Sequence, residues 1–175
     1  MNKANVLMRN VFVFLMLPVF AMINTGVLSA QNEEKPVLTL KMTVQKEVKV
    51  KKNGKSTVEY AEADKTKKGD ILLFTVDYKN DGKTEAKDAN IIDPVPAGTV
   101  YVLESANGKN SAISYSVDSG VNFQKPPVKI KVTKKDGKKE LKPAPADRYT
   151  HIKWEFKKPI MPGQSGNVKF KAKVK

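Results

Sequence analysis

The chain has no cysteine among its 175 residues. That absence excludes disulfide bonds, thiol catalysis, cysteine-based zinc sites and an acylated lipoprotein cysteine. Histidine is also scarce, and a histidine-based metal site at His151 would need carboxylates to complete it. Arginine is limited to Arg9 and Arg148, so lysine carries nearly all of the positive charge. Because arginine supplies the planar fork that reads phosphates and base edges, this composition favours diffuse attraction to anions over shaped recognition.

The bulk composition is that of a globular protein. Hydrophobic residues make up 40% of the chain and charged residues 29%, which separates it from disordered sequences. The formal net charge is +14. A chain of this length is sufficient for one ordinary domain, and its core is large enough to be stable without disulfides.

Residues 1–30 differ sharply from the rest of the chain. Lys3 and Arg9 give a positive start, and residues 11–23 form a short apolar run that ends before Asn24. Small residues then precede a polar stretch, with Ala30 at the most plausible cleavage position. This layout is typical of a secretory signal peptide. A retained membrane anchor is the alternative, but the run is shorter than the roughly 20 residues that a spanning helix needs, and it contains Pro18.

We therefore predict three segments. Residues 1–30 are a cleaved signal peptide, residues 31–36 a short polar lead, and residues 37–175 a single β domain. We expect no membrane span after cleavage.

The mature chain has an apolar period of two, the pattern of half-buried β-strands. The clearest example is the C-terminal segment, where Val168, Phe170, Ala172 and Val174 alternate with lysines. Such alternation is typical of antiparallel sheets that have one buried face and one solvent-exposed face. The same pattern occurs in residues 38–44, 72–78, 113–117, 128–132 and 151–156.

Turn signals separate these segments. Asx-Gly pairs begin at Asn53, Asp81, Asn107 and Asp136, and each supplies the positive φ that tight turns require. Proline-rich breaks occur at residues 93–98, 142–146 and 161–166. Seven or more short strands with such regular turns predict an antiparallel β-sandwich. A closed barrel is the alternative, since strand edges are not visible in a sequence.

Two stretches carry a family resemblance. Residues 69–82 read GDILLFTVDYKNDG, and residues 86–101 read AKDANIIDPVPAGTVY. Together with the Trp154 strand and the turn at residues 161–166, they resemble the conserved repeat domain of bacterial surface and secreted proteins, domain-of-unknown-function family eleven. The resemblance covers roughly residues 38–174. It implies an immunoglobulin-like fold and a structural or adhesive role outside the cytoplasm.

Searching for catalytic chemistry gives no strong candidate, and we predict a protein that is not an enzyme and needs no cofactor. His151 is interpreted as a solvent-facing strand residue. A calcium loop at residues 80–88 is a weaker alternative to a turn, because its oxygen ligands lack the EF-hand spacing. A Lys41–Asn167 crosslink is also considered, although Lys41 falls on the polar face, where its pKa would not be lowered by burial.

The lysines of two strands are the candidate binding residues. We predict that they form a face for anionic ligands. The alternative is that they keep the protein soluble and prevent unwanted strand pairing at the sheet edges. The candidates are Lys129, Lys131, Lys169, Lys171 and Lys173.

We predict an exported interaction module of the bacterial cell envelope or surface, located in the periplasm or outside the cell. We expect it to act by protein–protein or matrix contact, with an unidentified envelope or surface protein as its partner. The alternative is binding of an anionic polysaccharide or lipopolysaccharide through the lysines. We do not expect nucleic acid as a partner, because the basic residues are not interleaved with aromatic stacking platforms.

Overall fold

A computed structural model describes residues 34–175. The predicted signal peptide and the first three residues of the polar lead lie outside the described residues. The described chain is nearly all β, with strands that pair only antiparallel and one short 3-10 turn, Ala146–Arg148. The strands are β1 (Leu38–Lys52), β2 (Lys55–Glu62), β3 (Ile71–Asn80), β4 (Asn90–Pro94), β5 (Thr99–Tyr101), β6 (Asn107–Gly108), β7 (Ser111–Ser116), β8 (Lys129–Thr133), β9 (Lys139–Pro143), β10 (His151–Phe156) and β11 (Ser165–Val174).

The strands form three sheets. Six strands make the largest sheet, in the order β2-β1-β3-β11-β5, and β6 pairs with β11 on the same edge as β5. The second sheet has the order β4-β10-β7, and β8 and β9 form a separate ribbon. Each strand order has two free ends, so the sheets are open.

The core lies between the six-stranded and three-stranded sheets. Phe74 on β3 stacks on Phe170 on β11, with ring centroids 4.8 Å apart. Trp154 on β10 then contacts Phe170 from the other sheet at 6.2 Å. Burying side chains of this size contributes about 1.5–3 kcal/mol each, so these aromatic contacts are a main source of the cohesion between the two sheets.

The alternation predicted for residues 72–78 and 168–174 is confirmed by burial. In the segment at residues 38–44, by contrast, the inward-facing Met42 remains 41% exposed. Its neighbours Leu40 and Val44 on the same face pack against the core, so the cover over this part of β1 is incomplete. The apolar period predicts which face of a strand points inward, but it does not predict how much of that face the opposite sheet covers.

Two of the predicted Asx-Gly turns are hairpin turns. Asn53 and Gly54, both with positive φ, join β1 to β2, and Gly137 lies in the turn between β8 and β9. The prediction at Asn107 and Gly108 is wrong, because these residues form β6 and pair with β11. The chain turns just after them, at residues 109–110.

The prediction that residues 80–82 close a hairpin is also wrong. Asn80 ends β3, and its side chain is fully buried. Its amide nitrogen donates to the carbonyl oxygens of Thr84 and Ile160, both at 2.8 Å, while its amide oxygen accepts from the N–H groups of Val37 and Gly82. The residue therefore joins the N-terminal segment and the segment at Ile160 to the loop after β3, and the chain does not return beside β3 as a hairpin.

Within the described residues, none of the helical segments has the length and apolarity needed to cross a bilayer.

Candidate functional site

The predicted lysines lie in two separate places. Lys169, Lys171 and Lys173 project from the outer face of the six-stranded sheet, because the residues between them are buried. We call these three residues the β11 lysine face. Lys129 and Lys131 lie on β8, in the separate ribbon. Gln124, which precedes the ribbon, forms a bridge with Tyr115 of the three-stranded sheet, and its side chain hydrogen-bonds to the backbone of Lys129. The structure therefore does not join the five lysines into one sheet surface.

Lys171 is engaged by neighbouring side chains. Its Nζ lies 2.8 Å from Glu47 Oε2 and 5.4 Å from the centre of the Tyr60 ring. The hydrogen bond to Glu47 raises the pKa of Lys171. Lys169 and Lys173 make no ion pair with any described residue. The charge of the β11 lysine face is therefore carried mainly by its two outer members.

The hairpin of β1 and β2 extends past the rest of its sheet. Pairing between β1 and β3 stops at Lys46, and the remainder of β1 pairs only with β2. Among the described strands, β2 has no neighbour on its other side. Val58 and Tyr60 on this strand are 47% and 39% exposed. We call this open side of the strand the β2 edge.

The turn geometry shows which backbone groups of β2 are open. The two-residue turn makes Lys52 and Lys55 the closing pair, and the closing pair of such a hairpin is hydrogen-bonded. Hydrogen-bonded and non-hydrogen-bonded pairs alternate along antiparallel strands. The N–H groups of Val58 and Tyr60 therefore point away from β1 and are available to an added strand.

A groove of about 630 Å³ lies at the opposite end of the six-stranded sheet. Its floor contains Tyr78 at the end of β3 and Phe156 at the end of β10, whose rings meet edge to face at 4.8 Å. The start of β11, around Gly166, forms one wall, and Lys109 and Lys158 lie on its rim. We call this site the end groove.

Lys41 and Asn167 occupy one row of the outer face. Both lie opposite Asp77, on the two strands that flank β3. All three side chains are exposed. A crosslinking reaction needs a lysine made neutral by burial, and this row supplies no such burial.

His151 lies half-buried on β10. Its Nδ1 lies 3.2 Å from Thr150 Oγ1, and the ring packs against Gly120. Burial lowers the pKa of His151, and the charge of Asp118 partly opposes this effect. The interpretation of His151 as a solvent-facing residue is therefore only partly right, since the loop after β7 covers it.

The carboxylates near the proposed calcium loop face lysines. Asp81 pairs with Lys79, and Glu85 pairs with Lys87. Within residues 34–175, no group of three or more histidine, aspartate or glutamate side chains is placed to hold a metal ion.

Asp93 was not among the candidate functional residues predicted from the sequence. Its side chain is buried on β4, one carboxylate oxygen has no hydrogen-bond partner among the described residues, and burial raises its pKa to about 7. A signal was present in the sequence: Asp93 follows Ile91 at a spacing of two, and therefore occupies an inward-facing position.

No protein-family model, curated protein or solved structure shows a significant match to this chain. The resemblance to the conserved repeat domain stays a prediction.

Proposed function

We propose that this protein is an exported, non-catalytic interaction module of the bacterial cell envelope or surface, built as an immunoglobulin-like β-sandwich. The sandwich is supported by the aromatic contacts between the two larger sheets. The proposal for its action rests on the β2 edge, which has open N–H groups beside exposed apolar side chains. Strand addition to such an edge is a common mode of peptide recognition, in which backbone hydrogen bonds provide affinity and side chains provide specificity.

The charge of the hairpin defines the partner further. Lysines dominate the part of the hairpin beyond the sheet, and Lys52 is held by Glu59 while Lys49, Lys51 and Lys55 are in no ion pair with a described residue. A complementary partner is an extended segment of an envelope protein that has acidic residues beside an apolar centre. The acidic residues would guide association, and the backbone pairing would hold the complex.

The test uses a proline that blocks strand addition. Val58→Pro removes an N–H that points outward, a place where edge strands tolerate proline, while Val58→Thr keeps the N–H and a β-branched side chain. Both variants are used to capture partners from the native envelope, with low-salt and then high-salt washes. We expect the wild type and Val58→Thr to retain the same protein at high salt, and Val58→Pro to lose it. Equal retention by Val58→Pro would refute strand addition at this edge.

A second candidate function rests on the β11 lysine face. Lys169 and Lys173 project from one strand without an ion pair among the described residues, which suits an anionic envelope glycan or lipopolysaccharide. Binding of this kind weakens steeply between low and physiological ionic strength. The same capture experiment tests this candidate. It would be favoured if lipopolysaccharide is retained by the wild type and by Val58→Pro, but is lost at high salt and with the double variant Lys169→Gln/Lys173→Gln.

A further inference from the structure

The end groove is separate from both surfaces described above. It lies at the Asn80 end of β3, whereas the β1–β2 hairpin extends beyond the Ile71 end. The ten residues of β3 span about 30 Å at the usual rise of a strand. A ligand in the end groove therefore leaves the β2 edge free.

The floor of the end groove is apolar but shallow. The ring of Phe156 is half-buried, and Tyr78 is only 7% exposed. Gly166 lies opposite Tyr78 in the β3–β11 register, and any side chain there would overlap the Tyr78 hydroxyl. The glycine thus allows the tyrosine to lie flat under the groove. A base or an aromatic ligand would find little ring surface for stacking here, while the C–H groups of a sugar need only edge contact.

The wall of the end groove carries amides. Two exposed side chains present both N–H donors and carbonyl acceptors. Gln164 uses its Oε1 to accept from the Met161 N–H at 3.0 Å, which orients the amide and leaves its N–H₂ group available. Amides of this kind match the hydroxyl groups of sugars, which also donate and accept. The two amide side chains are Asn110 and Gln164, whereas the strand register places the side chains of Asn107 and Asn167 on the outer face of the sheet.

The charge of the end groove is positive. Lys109 and Lys158 are exposed and make no ion pair with a described residue, while the one acidic residue on the same rim, Glu85, is paired with Lys87. Two free ammonium groups beside amides suit a ligand that carries both carboxylates and hydroxyls. The groove volume lies within the range of about 300–1,000 Å³ found for small-molecule sites.

We infer that the end groove binds a short acidic oligosaccharide, of the uronic-acid class. The lysines face the carboxylates, the amides bind the hydroxyls, and the exposed part of the Phe156 ring contacts C–H groups of one sugar ring. The site differs from the β11 lysine face, because recognition here depends on amide geometry as well as charge. It does not depend on the proposed strand addition.

The test measures amide chemical-shift changes of the purified protein with a galacturonate trisaccharide, and with maltotriose as the neutral counterpart. We expect shifts at residues that line the end groove and a much weaker response to maltotriose. Lys109→Gln/Lys158→Gln should weaken binding at least tenfold, and Gln164→Met, which preserves charge, should also weaken it several-fold. Lys135→Gln/Lys139→Gln removes two exposed charges at the ribbon and should leave binding unchanged.

Three outcomes would overturn the inference. The first is that no shifts occur at groove residues. The second is an equal loss with Lys135→Gln/Lys139→Gln, which would indicate diffuse attraction to lysine. The third is that Gln164→Met and Lys109→Gln/Lys158→Gln each bind as tightly as the wild type. Val58→Pro, which tests the proposed function, should bind the trisaccharide normally, so the two proposals can fail separately.

Discussion

Asn80 shows how one buried side chain can organise several segments. An asparagine amide has two donors and two acceptor positions, and Asn80 uses all four on backbone groups of Val37, Gly82, Thr84 and Ile160. A buried backbone group that loses its partner costs about 1–3 kcal/mol. The side chain therefore stabilises the approach of the N-terminal segment to the end of β3.

We predict that Asn80→Ala destabilises the protein by several kcal/mol, since it removes four hydrogen bonds that contribute about 0.5–1.5 kcal/mol each. The measurement is urea unfolding followed by the fluorescence of Trp154, which is fully buried and is the single tryptophan. Asn90→Ala, at an exposed position on β4, is the matched control. A loss no larger than that of the control would contradict the role given to Asn80.

Asp93 links stability to pH. Burial raises the pKa of its carboxyl group from 3.8 to about 7, so the folded protein holds a proton there that the unfolded chain releases. A group with a raised pKa contributes its full stability below the unfolded value, and that contribution is lost as pH rises through the folded value. The window for Asp93 therefore runs from about pH 4 to about pH 7.

We predict that Asp93→Asn removes this dependence. In the wild type, the group should cost about 1.4 kcal/mol of stability for each pH unit across the window, whereas the uncharged amide cannot titrate. Urea midpoints at pH 5 and pH 8 give the comparison. Asp147→Asn, at an exposed site, should keep the wild-type slope, and an unchanged slope in Asp93→Asn would be inconsistent with a titrating buried carboxyl.

Among the elements, the loop after β7 is organised by one aspartate. The Asp118 carboxylate accepts from the Asn122 N–H at 2.9 Å, from Asn122 Nδ2 at 2.7 Å and from the Ser116 hydroxyl at 2.7 Å. These hydrogen bonds, with the Asn122 N–H first, lower the pKa of Asp118 to about 2. Its contribution to the loop is therefore present at neutral pH and is lost only as pH falls towards 2.

We predict that Asp118→Ala loosens this loop without unfolding the sheets. Amide hydrogen exchange at Gly120 and Asn122 should become faster, because both amides depend on the Ser116–Asp118 cluster, while exchange in β3 should stay slow. Asp147→Ala serves as the control. Unchanged protection in the loop would show that other contacts hold it.

The two kinds of Asx-Gly pair illustrate what can be predicted for an element. At Asn53 the pair is flanked by strands that pair with each other, so local sequence is sufficient to predict the turn. At Gly108 the glycine is required by tertiary packing, because an added Cβ would lie only 2.9 Å from both Trp154 and Val168. Those neighbours are more than 40 residues away, so no local pattern distinguishes the two pairs.

For the whole molecule, the net charge of +14 is the dominant electrostatic feature. Ten ion pairs form among the described residues, and most lie at the surface, where each contributes roughly 0–1 kcal/mol. Lysines far exceed the carboxylates that could pair with them. Repulsion among them opposes the compact state.

We predict that sodium chloride stabilises the protein at pH 7, because screening weakens this repulsion more than it weakens the few ion pairs. The urea midpoint should rise between about 10 mM and 300 mM salt, because the Debye length falls from about 30 Å to below about 10 Å over this range. Lys169→Gln/Lys173→Gln should reduce the size of the rise. A midpoint that falls with added salt would show that ion pairs outweigh the repulsion.

The sequence by itself determined that the chain is mostly antiparallel β and which side chains of β3 and β11 face the core. The period of two at residues 72–78 and 168–174 specifies an inner and an outer face whatever the strands pair with. It likewise determined the turn at Asn53. The predicted export segment lies outside the described residues and stays a prediction.

Tertiary structure alone decided which strands became neighbours. β3 pairs with β11, some 90 residues away, and that pairing places Gly166 under Tyr78 and forms the end groove. Tertiary structure also separated Lys129 and Lys131 from the β11 lysine face, and left the outer side of β2 without a partner among the described strands. These outcomes depend on contacts between distant residues, and an apolar period records only whether a side chain faces the core, never which strand lies beside it.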